Sequence, residues 1–212
     1  EDYVVVAERL DQHACIAGIE LNVSCPNVAD GLQFGTDPKR LRELVRQVRK
    51  AIKRAKLIVK LSPNVTDIGE MARAAIDGGT DMLSLVNTFV GMSIDIETWK
   101  PKLANGTGGL SGPAIKPLAV NLVQRVYQDA ARERNTPIIG MGGIQTWQDA
   151  VEFLLAGASA VSVGTALFVD PATPIKIANG LSEYLAARGL SNVRELVGKL
   201  SLPGNDRPVA AG

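Results

Sequence analysis

The chain has 212 residues, 46% of them hydrophobic, with a formal net charge of +1. That is enough to bury a substantial α/β core and too little charge to build a field aimed at nucleic acid. Its two cysteines cannot frame a disulfide scaffold, and no apolar run reaches the length of a membrane span.

Residues 2–14 have helical spacing, with Val4, Ala7, Leu10 and Ala14 on one side. A buried strand is predicted over 19–24, where Ile19, Leu21 and Val23 alternate. Pro26 stops it, leaving Asn22, Cys25 and Asn27 at its C-terminal end. A thiol, once ionised, accepts a proton, and a carboxamide both donates and accepts hydrogen bonds. Together they suit a flat, amide-rich ring that must lose a proton; the alternative is a buried cysteine in a turn capped by Asn. Residues 28–36 read as a polar loop with Gly31 and Gly35, suited to a lid.

Thr36 or Asp37 is placed to cap a helix running to about residue 55, with Pro38 in its first turn. Leu41, Leu44, Val45 and Val48 face inward, and its Arg and Lys residues read as a solvated face rather than a nucleic-acid surface. Residues 57–61 form a second strand, nearly all apolar as in a sheet covered on both faces. Lys60 near its end implies either a cation beside an electron-rich ring or a rim salt bridge. A helix over 67–77 ends at Gly78-Gly79, and a third strand over 82–86 closes on Asn87-Thr88. The segment 89–117 reads as a long loop rich in glycine, functional or disordered.

A helix over 114–132 leads to a fourth strand, 137–139, and to Gly140-Met141-Gly142-Gly143. Thr146 caps a helix to about residue 156, and a fifth strand, 160–163, ends at Gly164-Thr165. These two glycine turns, with Ser111-Gly112 as a weaker third, form a phosphate candidate, because glycine lets backbone N–H groups approach an anion. The competing explanation is that they only make tight βα turns. Helical segments near 171–187 and 191–200 precede a Pro/Gly tail over 201–212, expected to be mobile. His13 reads as structural or solvated, and Cys15 as packing. No CxxC or His/Cys cluster suggests a metal or an iron–sulfur site.

The repeated βα rhythm predicts an α/β fold with parallel strands. Polar and glycine residues gather after each strand, as at the catalytic face of a (β/α)8 TIM barrel. A doubly wound sheet is the rival, but residues 22–27 are no dinucleotide fingerprint. Five predicted strands would make this chain about the last five βα units of a barrel, a single domain over 1–212 that begins partway through. The absence of a basic n-region and an apolar h-region at the start suggests no signal peptide.

Several motifs together resemble dihydroorotate dehydrogenases: residues 22–27 (NVSCPN), 59–67 (VKLSPNVTD), 105–113 (NGTGGLSGP), 140–143 (GMGG) and 163–165 (VGT). They are most similar to the catalytic subunits of the NAD-linked class 1B type, over residues 1 to about 200. The resemblance implies FMN, oxidation of dihydroorotate to orotate in pyrimidine synthesis, and a cytoplasmic location. It implies a homodimer of catalytic subunits with a partner subunit carrying FAD and a 2Fe–2S cluster, and no membrane or nucleic-acid partner. Cys25 matches the catalytic base. Asn22 matches a residue touching both FMN and substrate, and Asn27, Asn87 and Thr88 match substrate contacts. Lys60, Val86, Gly112, Gly142, Gly143, Gly164 and Thr165 match FMN contacts. The family's upstream lysine and Asn-containing loop have no counterpart, so activity of these 212 residues alone is an open expectation. A related FMN barrel acting on dihydropyrimidines, a non-catalytic barrel fragment and a phosphate-sugar isomerase are the alternatives. The first would carry its cysteine further along the loop, and the third would want carboxylate or His bases at the strand ends.

Overall fold

The computed structural model of the chain describes residues 2–24 and 31–203. Helix α1 (Asp2–Asp11) precedes strand β1 (Gly18–Asn22), a short helix α2 (Gly31–Thr36) and helix α3 (Pro38–Ala51). Strand β2 (Lys56–Lys60), helix α4 (Ile68–Gly78) and strand β3 (Met82–Leu85) follow. An excursion then carries four short strands, β4 (Phe89–Gly91), β5 (Ile94–Asp95), β6 (Lys100–Pro101) and β7 (Gly108–Leu110). A 3₁₀ turn at Pro113–Ile115 enters α5 (Lys116–Val126), which continues as a π turn over Tyr127–Ala131. Strand β8 (Ile138–Met141), helix α6 (Trp147–Ala156), strand β9 (Ala160–Ser162), a 3₁₀ turn (Thr165–Phe168) and helix α7 (Thr173–Ala187) complete the rhythm.

The five main strands form one parallel sheet in the order β1-β2-β3-β8-β9, each beside the strand that follows it in the βα sequence. A doubly wound sheet reverses its order at a switch point. This order never reverses, so right-handed crossovers put every helix on one side and the sheet forms an arc of a (β/α) barrel.

Strand periodicity sorts the residues. Ile19 and Leu21, Leu57 and Val59, and Leu83 and Leu85 are buried in one phase. The opposite phase carries Glu20, Asn22, Lys60 and Ser84, and the register sets Asn22 beside Lys60 and Lys60 beside Ser84. Helix α3 starts where Asp37 accepts the N–H groups of Lys39 and Arg40, with Pro38 in the first turn. Its Leu41, Leu44, Val45 and Val48 are buried, each contributing about 1.5–3 kcal/mol of burial free energy. Helix α4 is capped in the same way by Asp67 and closed by left-handed Gly79.

Several expected elements differ. Helix α1 stops at Asp11, because that carboxylate accepts the N–H groups of Lys53, Arg54 and Ala55. The same capture ends α3 at Ala51 rather than near residue 55. The Ala55 and Lys53 N–H groups hold the Asp11 carboxyl below its usual range. Arg54 also binds the carbonyls of Asp11, His13 and Ala14, keeping this connection at the surface. Cys15 is therefore exposed rather than packed.

Part of the expected polar loop 28–36 is helical, as α2, and Phe34 meets Tyr3 edge-on at 6.1 Å. The long loop contains two antiparallel ladders, β4–β7 and β5–β6. Its glycines hid this: a Cβ on Gly109 would lie 2.3 Å from Thr88 Oγ1, so close ladder approach requires a bare backbone. The last expected helix shrinks to a 3₁₀ turn, Val193–Leu196: Asn192 and Glu195 form a capping box that starts it, and Gly198, with φ +69° and its N–H donating to the Leu154 carbonyl, turns the chain away. The tail 204–212 lies outside the described residues.

Candidate functional site

A cavity of about 320 Å³ opens at the C-terminal ends of β2, β3, β8 and β9. Its volume lies at the lower end of the range for small-ligand sites. Lys60 reaches it from β2, and Val86, Asn87 and Thr88 from the end of β3. Gly142 and Gly143 follow β8, Gly164 and Thr165 follow β9, and Gly112 comes from the end of the excursion. Nine residues that the motifs match to substrate or FMN contacts therefore line one cavity, with Ser111 beside them.

Asn22 joins them through Asn87. The Asn87 side-chain amide donates to Asn22 Oδ1 at 2.9 Å and to the buried Ser24 Oγ at 2.8 Å. Its own carbonyl accepts the Thr88 N–H at 2.9 Å. The ends of β1 and β3 are thereby tied by neutral groups, immediately before Cys25. Cys25 and Asn27 lie outside the described residues, as do residues 28–30 of the expected lid.

Asn64, within the 59–67 motif, ties the end of β2 to the excursion. Its amide donates to the Thr88 carbonyl at 3.0 Å and its carbonyl accepts the Val90 N–H at 3.0 Å. That pair fixes where the excursion leaves the cavity.

Lys60 makes the rim salt bridge and also reaches the cavity. Its ammonium lines the cavity and also lies 3.5 Å from Glu20 Oε1. Glu20 Oε2 accepts the Ser84 hydroxyl at 2.6 Å.

The glycine end of the cavity is tightly built. Gly143 has φ +78°, and a Cβ there would lie 2.7 Å from the Gly112 carbonyl oxygen and 2.9 Å from Lys116 Cβ. No side chain fits without moving backbone. Thr165 Oγ1 donates to Ser111 Oγ at 3.0 Å, bringing two hydroxyls to the same wall.

Beneath this wall, Lys116 Nζ lies 2.7 Å from both Asp149 and Glu152. Those bonds push its ammonium above the usual lysine range, against burial. Burial pushes the Asp149 carboxyl up, but Lys116 and the Gln145 and Thr146 N–H groups outweigh it and hold it below the usual carboxylate range. Among the described residues, no group of three or more His, Cys, Asp or Glu could hold a metal ion, and no helix is long and apolar enough to cross a membrane.

The chain as a whole is matched by known proteins. The family model described as dihydroorotate dehydrogenase matches residues 1–185. The chain belongs to that family. A relative from Bacteroides fragilis, named dihydroorotate dehydrogenase B (NAD(+)), catalytic subunit, is 52% identical over 203 residues, covering 95% of this chain and 65% of the relative. A relative of the same name from Geotalea daltonii is likewise 52% identical over 203 residues, with the same coverage of 95% and 65%. The chain thus spans 65% of the length of these curated relatives. Among solved structures, a dihydroorotate dehydrogenase from Eimeria tenella in complex with ferulenol superposes with a TM-score of 0.76 at 25% identity. That match covers 92% of this chain and 57% of the other.

The sequence reading missed Glu20 and Ser84. A signal was available for Glu20: it shares the phase of Asn22 in an otherwise apolar strand, so it must face the same side. Ser84 gave none, because a lone serine in a strand is uninformative until its neighbours are known.

Proposed function

We propose that the full-length protein oxidises dihydroorotate to orotate with FMN, a step of pyrimidine synthesis. The observation that carries this reading is the convergence of Lys60, Asn87, Thr88 and three glycine turns on one cavity at the strand ends. The residues fit such a group. Gly112, Gly142, Gly143 and Gly164 leave the backbone bare on the wall, where a phosphate can be held by N–H groups. Ser111 and Thr165 add hydroxyls, and Lys60 supplies a cation at the opposite side.

Bound there, FMN would supply the hydride acceptor for the substrate ring. The chain's own residues do the rest. Asn22, Asn27, Asn87 and Thr88 hold the pyrimidine by its amide edges, and the Asn87–Asn22 bond keeps their carboxamides in fixed directions. Cys25, one residue after the buried Ser24, takes the proton from the ring carbon next to the carbonyl. The thiol and the hydride acceptor must face opposite sides of the substrate.

Two partner readings accompany this one. The relatives are named as catalytic subunits of an NAD(+) enzyme, which supports NAD as acceptor and a second subunit; FAD and a 2Fe–2S cluster on that subunit are what the motif resemblance implies. A homodimer is supported by the excursion, where Ile96 and Trp99 are 78% and 88% exposed beside exposed Val90, Met92 and Ile94.

Anaerobic mixing of the full-length protein with dihydroorotate tests the function. Bleaching of the flavin absorbance is the expected result. A protein that takes up FMN but stays yellow with dihydroorotate would sink the substrate assignment. A protein that stays colourless with added FMN would favour a non-catalytic fragment.

A further inference from the structure

Three neighbouring strands bring Glu20, Lys60 and Ser84 together on the same face of the sheet. Each is in phase with its neighbours, and the parallel register sets Lys60 directly beside Ser84, with Glu20 one step below on the far side. The Ser84 hydroxyl, itself fully buried, donates to one carboxylate oxygen of Glu20 at 2.6 Å. The other oxygen is 3.5 Å from the Lys60 ammonium. The serine therefore fixes the carboxylate, and the carboxylate in turn fixes the lysine. Lys60 also lines the cavity. Its position and net field at the cavity wall are thus set by a residue that the cavity does not include.

We propose that Glu20 is a positioning residue for the cavity-facing cation: it holds the Lys60 ammonium in place and offsets part of its charge, so keeping the redox potential of a flavin bound there low. The inference rests on the FMN reading given above. Its physical basis is Coulombic. A reduced flavin carries more electron density on its ring than an oxidised one, so a nearby cation favours the reduced form. A carboxylate in contact with that cation cancels part of the effect, and in a partly desolvated site the cancellation is large compared with water. A bare lysine would make the flavin a better acceptor from substrate and a poorer donor to the next carrier. Glu20 trades some of the first for the second.

The experiment is a spectroelectrochemical titration of the FMN-loaded full-length protein and its variants. Glu20→Gln keeps the shape and can still accept from Ser84, but removes the charge. The expected result is a positive shift: at a fixed reference potential the ratio of reduced to oxidised flavin rises about tenfold, which is about 30 mV for a two-electron couple. Lys60→Gln shifts the potential the other way. Introducing Glu20→Gln into the Lys60→Gln background should produce a smaller shift than in the wild type, because the part that came from holding the ammonium in place is already gone. Glu20→Asp, which keeps the charge on a shorter arm, gives a smaller positive shift and serves if the Gln variant does not fold. No shift, a negative shift, or the same shift with and without Lys60 would overturn the inference. A wild-type protein that takes up no FMN would instead overturn the flavin reading on which it rests.

Discussion

Replacing Asp149 by Asn tests whether the wall beneath the glycine turns is held by charge. The carboxylate accepts Lys116 Nζ at 2.7 Å and the N–H groups of Gln145 and Thr146 at 2.9 Å each. Its side chain is only 14% exposed. Hydrogen bonds to a charged group contribute roughly 1.5–3 kcal/mol and neutral ones roughly 0.5–1.5, so each of the three loses about 1 kcal/mol when the charge goes. Glu152 also binds Lys116 at 2.7 Å and retains the lysine, which lowers the net loss to about 2 kcal/mol. For a chain of this size that is a fall in Tm of roughly 4–8 °C, read by calorimetry at pH 7. The pH dependence supplies the sign. Asp149 is held below its unfolded value, so its contribution is present above about pH 4 and is lost as pH falls through the folded value. Lys116 is held above its unfolded value, so its share is present below about pH 10 and is lost as pH rises through the folded value. The difference between wild type and variant should therefore shrink at pH 3. A Tm difference under about 1 °C at pH 7, or one equally large at pH 3, would refute the reasoning.

Three further outcomes follow from the site. Cys25→Ala in the full-length protein should leave FMN bound and slow flavin reduction by dihydroorotate by roughly 10²-fold or more, in stopped flow, with Cys25→Ser retaining a little activity at high pH; unchanged reduction would remove the thiol from the mechanism. Asn87→Ala strips the amide donor from buried Ser24 and from Asn22, a penalty of about 1–3 kcal/mol, so orotate titrations should show binding weakened by about 10-fold or more. Gly143→Ala meets the Gly112 carbonyl and the start of α5, and the purified protein should come off the column without flavin colour while FMN-loaded wild type is yellow.

Elements whose boundaries are set by local chemistry were readable from the chain. Asp37-Pro38, Asp67 and Thr146 each cap a helix where their side chains dictate, and the 3.6-residue stripe of α3 falls on the four buried positions expected. The family and the barrel arc were readable too, because strand-end motifs carry them. What could not be read depends on contacts distant in sequence. Asp11 reaches across more than forty residues to end α3, and nothing near Ala51 announces it. The glycines at 108–109 look like loop until Thr88 is known to press against them. Cys15 reads as a small hydrophobe unless Arg54 is seen binding the carbonyls of His13 and Ala14 just before it.

The same distinction explains how the candidate site is divided. Groups that would touch a ligand sit at strand ends, where the chain leaves the ladder and any residue is sterically allowed, so their identity is free to carry chemistry. Groups that orient them sit inside the ladder, where phase and register leave a single direction for each side chain. Asn22 and Lys60 belong to the first layer; Glu20 and Ser84 belong to the second, and so do Asn64 in the loop after β2 and Asp149 in the first turn of α6. A motif names the first layer because its residues are contiguous. The second layer becomes visible when adjacent strands are set in register, since Lys60 is paired with a residue forty positions earlier and Glu20 with one sixty-four positions later. Changing the strand-end groups should therefore alter ligand binding and proton transfer, whereas changing the layer below should alter the field and the geometry that the same ligand meets.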